Sequence, residues 1–315
     1  MRTGWSAADI PDLTGRVAVV TGANRGLGRE ITRYLAGQGA RVVMACRDED
    51  SGAAAATELR RAGVSGPLEV RRIDLGSLAS VEKFAASLAG ESRLDVLANN
   101  AGLMAVDRGL TADGFETHMG VNHLAPFALT ARLLPLLQAT PGSRVVTMSS
   151  MGARLGHVDL GDLGWERRPY DRWQAYFQSK LANLLFTFEL ERRLRAGRAA
   201  GAERGPGLDR TARAPSALAA HPGGARTSLG RKGHSWTNRL VPLWQPFLQP
   251  ASYGALGFVR AATDPAAQGG EYYGPALQAW GPPIRERPSR QARDPELAAG
   301  LWEQSERLTG LTFCP

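Results

Sequence analysis

The chain has 315 residues, 43% of them apolar, a formal charge of +8 and two cysteines. That much apolar material suits one large core. Two cysteines make no disulfide framework, and no uninterrupted apolar run reaches the roughly 18 residues of a membrane span. Arginine carries the charge, since Lys83, Lys180 and Lys232 are the only lysines, and its scatter speaks against a nucleic-acid footprint. The Ala-, Gly- and Arg-rich usage reads as a high-GC bacterial sequence in a reducing cytoplasm, with no metal and no integral membrane segment implied.

After an arm over 1–15, with Trp5 and the turn Pro11-Asp12-Leu13-Thr14-Gly15, short apolar runs alternate with helical patterns. Val17 to Val20 reads as a buried strand and Leu27 to Leu35 as its helix. Arg41 to Ala45 with Ser51 to Arg61, and Leu68 to Ile73 with Ser77 to Leu88, repeat the unit. Leu94 to Leu97 is a fourth strand, followed by a long helix around Phe115 to Leu137. Arg144 to Met148 is a fifth strand, Trp173 to Leu194 a helix, and Ser216 to Ala219 a sixth strand. Strands apolar along their whole length, each followed by a helix, predict a single α/β domain. Its doubly wound parallel sheet, of about seven strands with helices on both faces, binds its ligand beyond the carboxyl ends of the strands. The Arg-, Gly- and Ala-rich stretch 196–214 reads as a mobile surface loop. Asp294-Pro295-Glu296 predicts a capped helix that runs to about Leu308 and stops at Gly310.

Tyr176 and Lys180 lie four residues apart and so share a helix face. A fixed ammonium beside a phenol favours the phenolate, which would let Tyr176 donate and accept a proton near neutral pH. The stretch Thr21-Gly22-Ala23-Asn24-Arg25-Gly26-Leu27-Gly28 joins the first strand to the first helix. Glycines there let the backbone approach a pyrophosphate, whose charge sits on the free N–H groups of the helix start. The second strand ends Cys46-Arg47 with no acid before Asp48. Arg47 and Arg25 then offer two guanidiniums to a 2′-phosphate, favouring NADP(H) over NAD(H), unless both are simply solvated.

Six blocks occur in order: Thr21 to Gly28, Asp74-Leu75, Asn99-Asn100-Ala101-Gly102, Val121-Asn122-His123-Leu124, Ser149-Ser150, and His221-Pro222-Gly223 through Thr227. On these the chain resembles the short-chain dehydrogenase/reductase family over nearly its full length. It looks most like the branch of retinol dehydrogenases, the WW-domain oxidoreductase and protochlorophyllide reductases. The resemblance implies a Rossmann-type fold and assigns the cofactor loop to Thr21, Gly22, Asn24, Arg25, Gly26, Leu27 and Gly28, which Arg47 joins by its place at the end of the second strand. It adds Asp74 and Leu75 at the adenine, Asn99, Asn100, Ala101 and Gly102 along the cleft, and Pro222, Gly223 and Thr227 at the carboxamide. It further implies catalysis by Ser150, Tyr176, Lys180 and Asn122. Tyr176 would exchange a proton with the substrate oxygen, and Lys180 would hold the nicotinamide ribose and lower the Tyr176 pKa. Ser150 would hydrogen-bond the substrate oxygen, and Asn122 would anchor a relay water. His221, at a strand end, reads as structural.

The loop Asp159 to Asp171, with Trp165, Pro169 and Tyr170, is expected to border the substrate. Membrane-bound relatives carry an N-terminal anchor that is not read here, and no cysteine stands near Tyr176, which speaks against light-driven pigment reduction. The segment 228–250, with Trp236, Leu240, Leu243, Trp244 and Phe247, reads as an apolar lid over a lipophilic substrate, or else as an oligomer contact or peripheral membrane patch. A homo-oligomer, dimer or tetramer, is expected from the family. The function expected is an NADP(H)-dependent oxidoreductase acting on a carbonyl/hydroxyl pair of a small molecule. The alternatives are a non-catalytic NADP-binding sensor or scaffold, and a reductase of C=C or C=N bonds.

Overall fold

The computed structural model describes residues 4–202, 214–224 and 249–315. Its strands are β1 (Val17–Thr21), β2 (Arg41–Cys46), β3 (Leu68–Arg72), β4 (Val96–Asn99), β5 (Arg144–Met148), β6 (Ser216–Ala220), β7 (Tyr272–Pro275) and β8 (Pro283–Glu286). They form one sheet in the order β3-β2-β1-β4-β5-β6-β7-β8. All neighbours pair in parallel except β7 and β8. The doubly wound parallel sheet expected from the sequence is present, and β8 closes its edge as an antiparallel hairpin partner of β7.

The helices are α1 (Gly26–Gly37), α2 (Glu49–Arg61), α3 (Leu78–Ala86), α4 (Thr117–Met119), α5 (Ala125–Ala139), α6 (Arg172–Ala202), α7 (Ala251–Thr263) and α8 (Pro295–Thr309). The strand period of two sends alternate residues to opposite faces. Ala18 and Val20 of β1 pack with Ile31 and Leu35 of α1 and Phe258 of α7. Val17 and Val19 pack instead with Phe84 of α3, Leu129 of α5 and Leu190 of α6. Both faces are thus covered, which is why the strands read as unbroken apolar runs.

Two stretches depart from the expected elements. The single helix foreseen over Phe115 to Leu137 is broken into α4, a π-helical turn over Gly120–Leu124, and α5. Pro126 has no N–H to give the carbonyl of Asn122 four residues earlier, so the α-helical ladder cannot run straight through. The stretch 196–202, expected as irregular loop, continues α6 instead. Arg198 holds that last part down by donating to the Pro215 carbonyl (2.8 Å) and to Glu191 (2.8 Å); the rest of that loop, 203–213, lies outside the described residues. The capped helix stands as α8: Asp294 accepts from the N–H groups of Glu296 and Leu297, and Gly310 ends it at φ 67.

Candidate active site

The strand order reverses between β1 and β4, and sheets of this kind hold their ligands at such a switch point, beyond the carboxyl ends. Almost every expected site residue outside the helices follows one of those ends. After β1, Gly22 (φ 67) and Gly26 (φ 54) take the left-handed conformation that glycine alone adopts freely. A Cβ on Gly28 would strike the Gly22 carbonyl oxygen at 2.2 Å, so α1 can start this close to β1 only with glycine there, whereas a Cβ on Gly26 would meet nothing within 4 Å. The loop is therefore a tight turn with an open face above the helix N-terminus. Asn100, after β4, donates through Nδ2 to the Thr21 carbonyl (2.8 Å), and the Thr21 hydroxyl accepts from the N–H groups of Asn100 and Ala101 (3.0 Å each). Asn24 donates to the Ser51 hydroxyl (2.8 Å), tying the loop to α2. Arg25 and Arg47 are both exposed on this rim.

Some expected residues support the cleft from behind. Asn99 is buried and donates to the Thr130 hydroxyl of α5 (3.0 Å). Leu75 is buried, and Asp74 spends one carboxylate oxygen on the Gly76 N–H (2.9 Å). After β6, Gly223 (φ 61) is pressed against Pro275 and the Gln278 carbonyl, and Gln249 donates to the Pro222 carbonyl (2.8 Å). His221 is buried between Tyr272 and Glu286, with Nε2 2.8 Å from Glu286 Oε1, in keeping with its reading as structural. Thr227 and the stretch Trp236 to Phe247 lie outside the described residues.

The helical residues converge at the same end of the sheet. Asp171 caps α6 by accepting from the N–H groups of Trp173 and Gln174 (2.8 and 2.9 Å), placing Tyr176 and Lys180 on the inward face of its first three turns. Lys180 Nζ lies 6.0 Å from the Tyr176 ring centroid and donates to the Met148 carbonyl at the end of β5 (3.1 Å). Asn122 sits in the π-helical turn; its Oδ1 accepts from the Leu103 N–H (2.7 Å), and its Nδ2 donates to the Leu103 carbonyl (3.0 Å) and the Ser179 hydroxyl (2.9 Å). Ser179 in turn donates to the Tyr176 carbonyl (2.7 Å). Ser150 caps a short 3-10 turn through Gly152 (3.1 Å), and its hydroxyl lies near enough to the Tyr176 phenol to act on its pKa. Ser149 instead donates to the Lys180 carbonyl (2.9 Å) from a buried position, which separates the two serines by role.

The electrostatics of the pair are dominated by burial. Burial raises the Tyr176 pKa, and the nearby Ser150 hydroxyl only partly offsets it. Burial also brings the Lys180 pKa down to about 8, and its ammonium donates to the Met148 carbonyl.

Sequence reasoning also missed a buried polar group next to this site: Glu116, His118 and Tyr170. Glu116 Oε1 lies 3.0 Å from His118 Nδ1 and 2.9 Å from the Tyr170 hydroxyl, and the His118 ring stands edge-on to Tyr176 with centroids 6.2 Å apart. The available signal was an acid at the start of a helix, where a capping carboxylate belongs.

A short-chain dehydrogenase family model matches residues 16–198. The chain belongs to the short-chain dehydrogenase/reductase family. Human retinol dehydrogenase 12 is 40% identical over 307 residues, 96% of this chain and 88% of that protein. Human retinol dehydrogenase 13 is 38% identical over 322 residues, 98% and 89% respectively, so the chain is a short-chain dehydrogenase/reductase of the retinol dehydrogenase-like branch. A crystal structure of an uncharacterized protein from Mycobacterium paratuberculosis superposes with a TM-score of 0.79 at 45% identity, covering 99% of each chain. A Pseudomonas aeruginosa protein solved as an NADP active-site complex shares the fold, at 24% identity and a TM-score of 0.62. Short-chain dehydrogenases use a nicotinamide cofactor, and the open glycine turn at the start of α1 fits its pyrophosphate. Among the described residues, no helix is long and apolar enough to cross a membrane.

Proposed function

We propose that this enzyme is an NADP(H)-dependent reductase of lipophilic aldehydes or ketones, with Tyr176 as its general acid. The observation that carries the reading is the convergence of Tyr176, Ser150, Lys180 and Asn122 at the carboxyl ends of β4 and β5. When bound, the cofactor supplies the hydride. Tyr176 gives its proton to the substrate oxygen as that oxygen gains charge, and Ser150 hydrogen-bonds the same oxygen. Lys180, with its pKa brought down to about 8 by burial, can pass a proton toward Tyr176 near neutral pH. The Asn122 side chain is fully engaged at Leu103 and Ser179, which leaves its main-chain carbonyl, deprived of an α-helical donor by Pro126, to hold the water that recharges Lys180.

The preference for NADP(H) is supported by the exposed Arg25 and Arg47 and by what Asp48 is doing. Its carboxylate caps α2 by accepting from the Ser51 N–H (2.8 Å), so it is occupied where an NAD-selecting acid would bind ribose hydroxyls. A lipophilic substrate is supported by the retinol in the relatives' names and by the aromatic surround of Tyr176, formed by Trp173, Phe177 and His118.

The test is a spectrophotometric screen of NADPH and NADH oxidation against retinal, medium-chain aldehydes, ketones and quinones. Turnover of apolar aldehydes with NADPH, lost in Arg47→Asp, supports the reading. Tight NADPH binding with no turnover of any carbonyl would favour a sensor instead.

A further inference from the structure

We propose that Glu116, His118 and Tyr170 form a buried anchor that holds the substrate-side loop against the back of Tyr176, making Tyr170 a positioning residue that sets substrate affinity. This rests on the reading of Tyr176 as the proton donor.

The Glu116 and His118 side chains are fully buried. The carboxylate is met by four donors: the His118 and Met119 N–H groups (2.9 and 2.8 Å), His118 Nδ1 (3.0 Å) and the Tyr170 hydroxyl (2.9 Å). Burial works to raise the Glu116 pKa, and the hydrogen bonds from His118 and Met119 outweigh it, so the group stays ionised. The tautomer of His118 follows from its other nitrogen. Nε2 accepts from the Val106 N–H (3.3 Å), so the proton is on Nδ1 and faces Glu116 and the Tyr170 oxygen.

Two loops meet at this point. One runs from Leu103 to Val106 and is gripped at both ends from a single stretch of helix, by Asn122 at Leu103 and by His118 at Val106. Between them Ala105 is held buried at φ 49, a left-handed backbone that alanine adopts only under constraint. The other is the loop from His157 to Asp171. Its internal packing sets Tyr170 edge-on to Trp165, with centroids 5.8 Å apart, and Trp165 itself sits at φ 56 under the Arg168 guanidinium (3.8 Å). The Tyr170 hydroxyl ties this loop to Glu116, and one ring further on His118 touches Tyr176. A carboxylate placed between two constrained loops and the catalytic ring is a latch for the wall of the substrate cleft.

Tyr170→Phe tests this, because it removes one oxygen and leaves the ring against Trp165. With NADPH and retinal or nonanal as probes, KM is expected to rise about 10-fold, as for loss of a hydrogen bond to a buried charge, with kcat nearly unchanged and the NADPH Kd equal to that of the wild type. Amide hydrogen exchange over 158–171 should quicken by a similar factor while α1 stays protected. An active variant with wild-type KM and wild-type exchange overturns the anchor and leaves the proposed activity standing. If the wild-type enzyme reduces neither aldehyde, nor any other carbonyl in the screen, the reductase reading fails, and unchanged loop exchange would remove the anchor too.

Discussion

Gly102 faces Lys180 so closely that a Cβ built on it would lie 3.2 Å from Nζ and 3.0 Å from Asn122 Oδ1. The end of the Asn-Asn-Ala-Gly stretch is therefore the floor on which the ammonium and the asparagine meet. Gly102→Ala should push Lys180 or Asn122 aside by a few tenths of an ångström and lower kcat by about 10- to 100-fold, with the NADPH Kd changed far less. Steady-state kinetics beside cofactor titration checks it, and an unaltered kcat would mean the two groups need not be held where they are.

The two serines after β5 separate by what they touch. Ser150→Ala removes the hydroxyl beside the Tyr176 phenol and should cost about 10²- to 10³-fold in kcat. Ser149→Ala removes a buried bond to the Lys180 carbonyl and should lower unfolding stability by about 1 kcal/mol with kcat close to wild type. Kinetics and urea unfolding of both variants decide it, and the reverse pattern would exchange their roles.

Lys180 holds its position at a cost to the fold. Its pKa falls from 10.5 unfolded to about 8 folded, so below pH 8 the folded state carries the whole penalty of burying a charge, and stability rises as pH climbs from 8 toward 10.5. At pH 7 that penalty is roughly 3 kcal/mol. Lys180→Met leaves the Met148 carbonyl paired with Asn183 Nδ2 (3.0 Å). The variant should therefore melt several degrees higher at pH 7, by about 2 °C per kcal/mol, while losing activity. A lower Tm would show that the ammonium is better compensated than its surroundings suggest.

Acid should expose a different residue. Burial lowers the His123 pKa from 6.5 to about 4, so the unfolded chain takes up a proton first and stability falls as pH drops from 6.5 through 4, by up to roughly 3 kcal/mol. His123→Gln, which still offers the Ser305 hydroxyl a partner, should lose less stability than wild type between pH 7 and 4.5. Urea midpoints at the two pH values measure the difference, and parallel losses would clear His123 of the effect.

What could be read in the sequence was what backbone geometry dictates locally. The glycine turn from Gly22 to Gly28, the four-residue step from Tyr176 to Lys180 and the Asp294-Pro295 cap each have one good structural solution, and each stands where expected. The elements that escaped are held by distant partners. β7 and β8, with Gly274, Pro275 and Pro283, have no strand-forming run and exist because β6 offers an edge. α6 survives past Gly197 because Arg198 finds Pro215 and Glu191. Glu116 and His118 read as an ordinary polar helix start, since burial is invisible in a window of a few residues. The burial of Tyr176 and Lys180 escapes for the same reason: their spacing gives a shared helix face but not their desolvation.

The central claim is that the Tyr176 phenol donates the proton. It is tested most directly by Tyr176→Phe, with NADPH affinity measured by fluorescence titration and reduction of retinal followed in the same preparation. A variant that binds NADPH like the wild type and turns over at least about 10³-fold more slowly is the result expected of a lost general acid. Retention of a tenth or more of the wild-type kcat would contradict it.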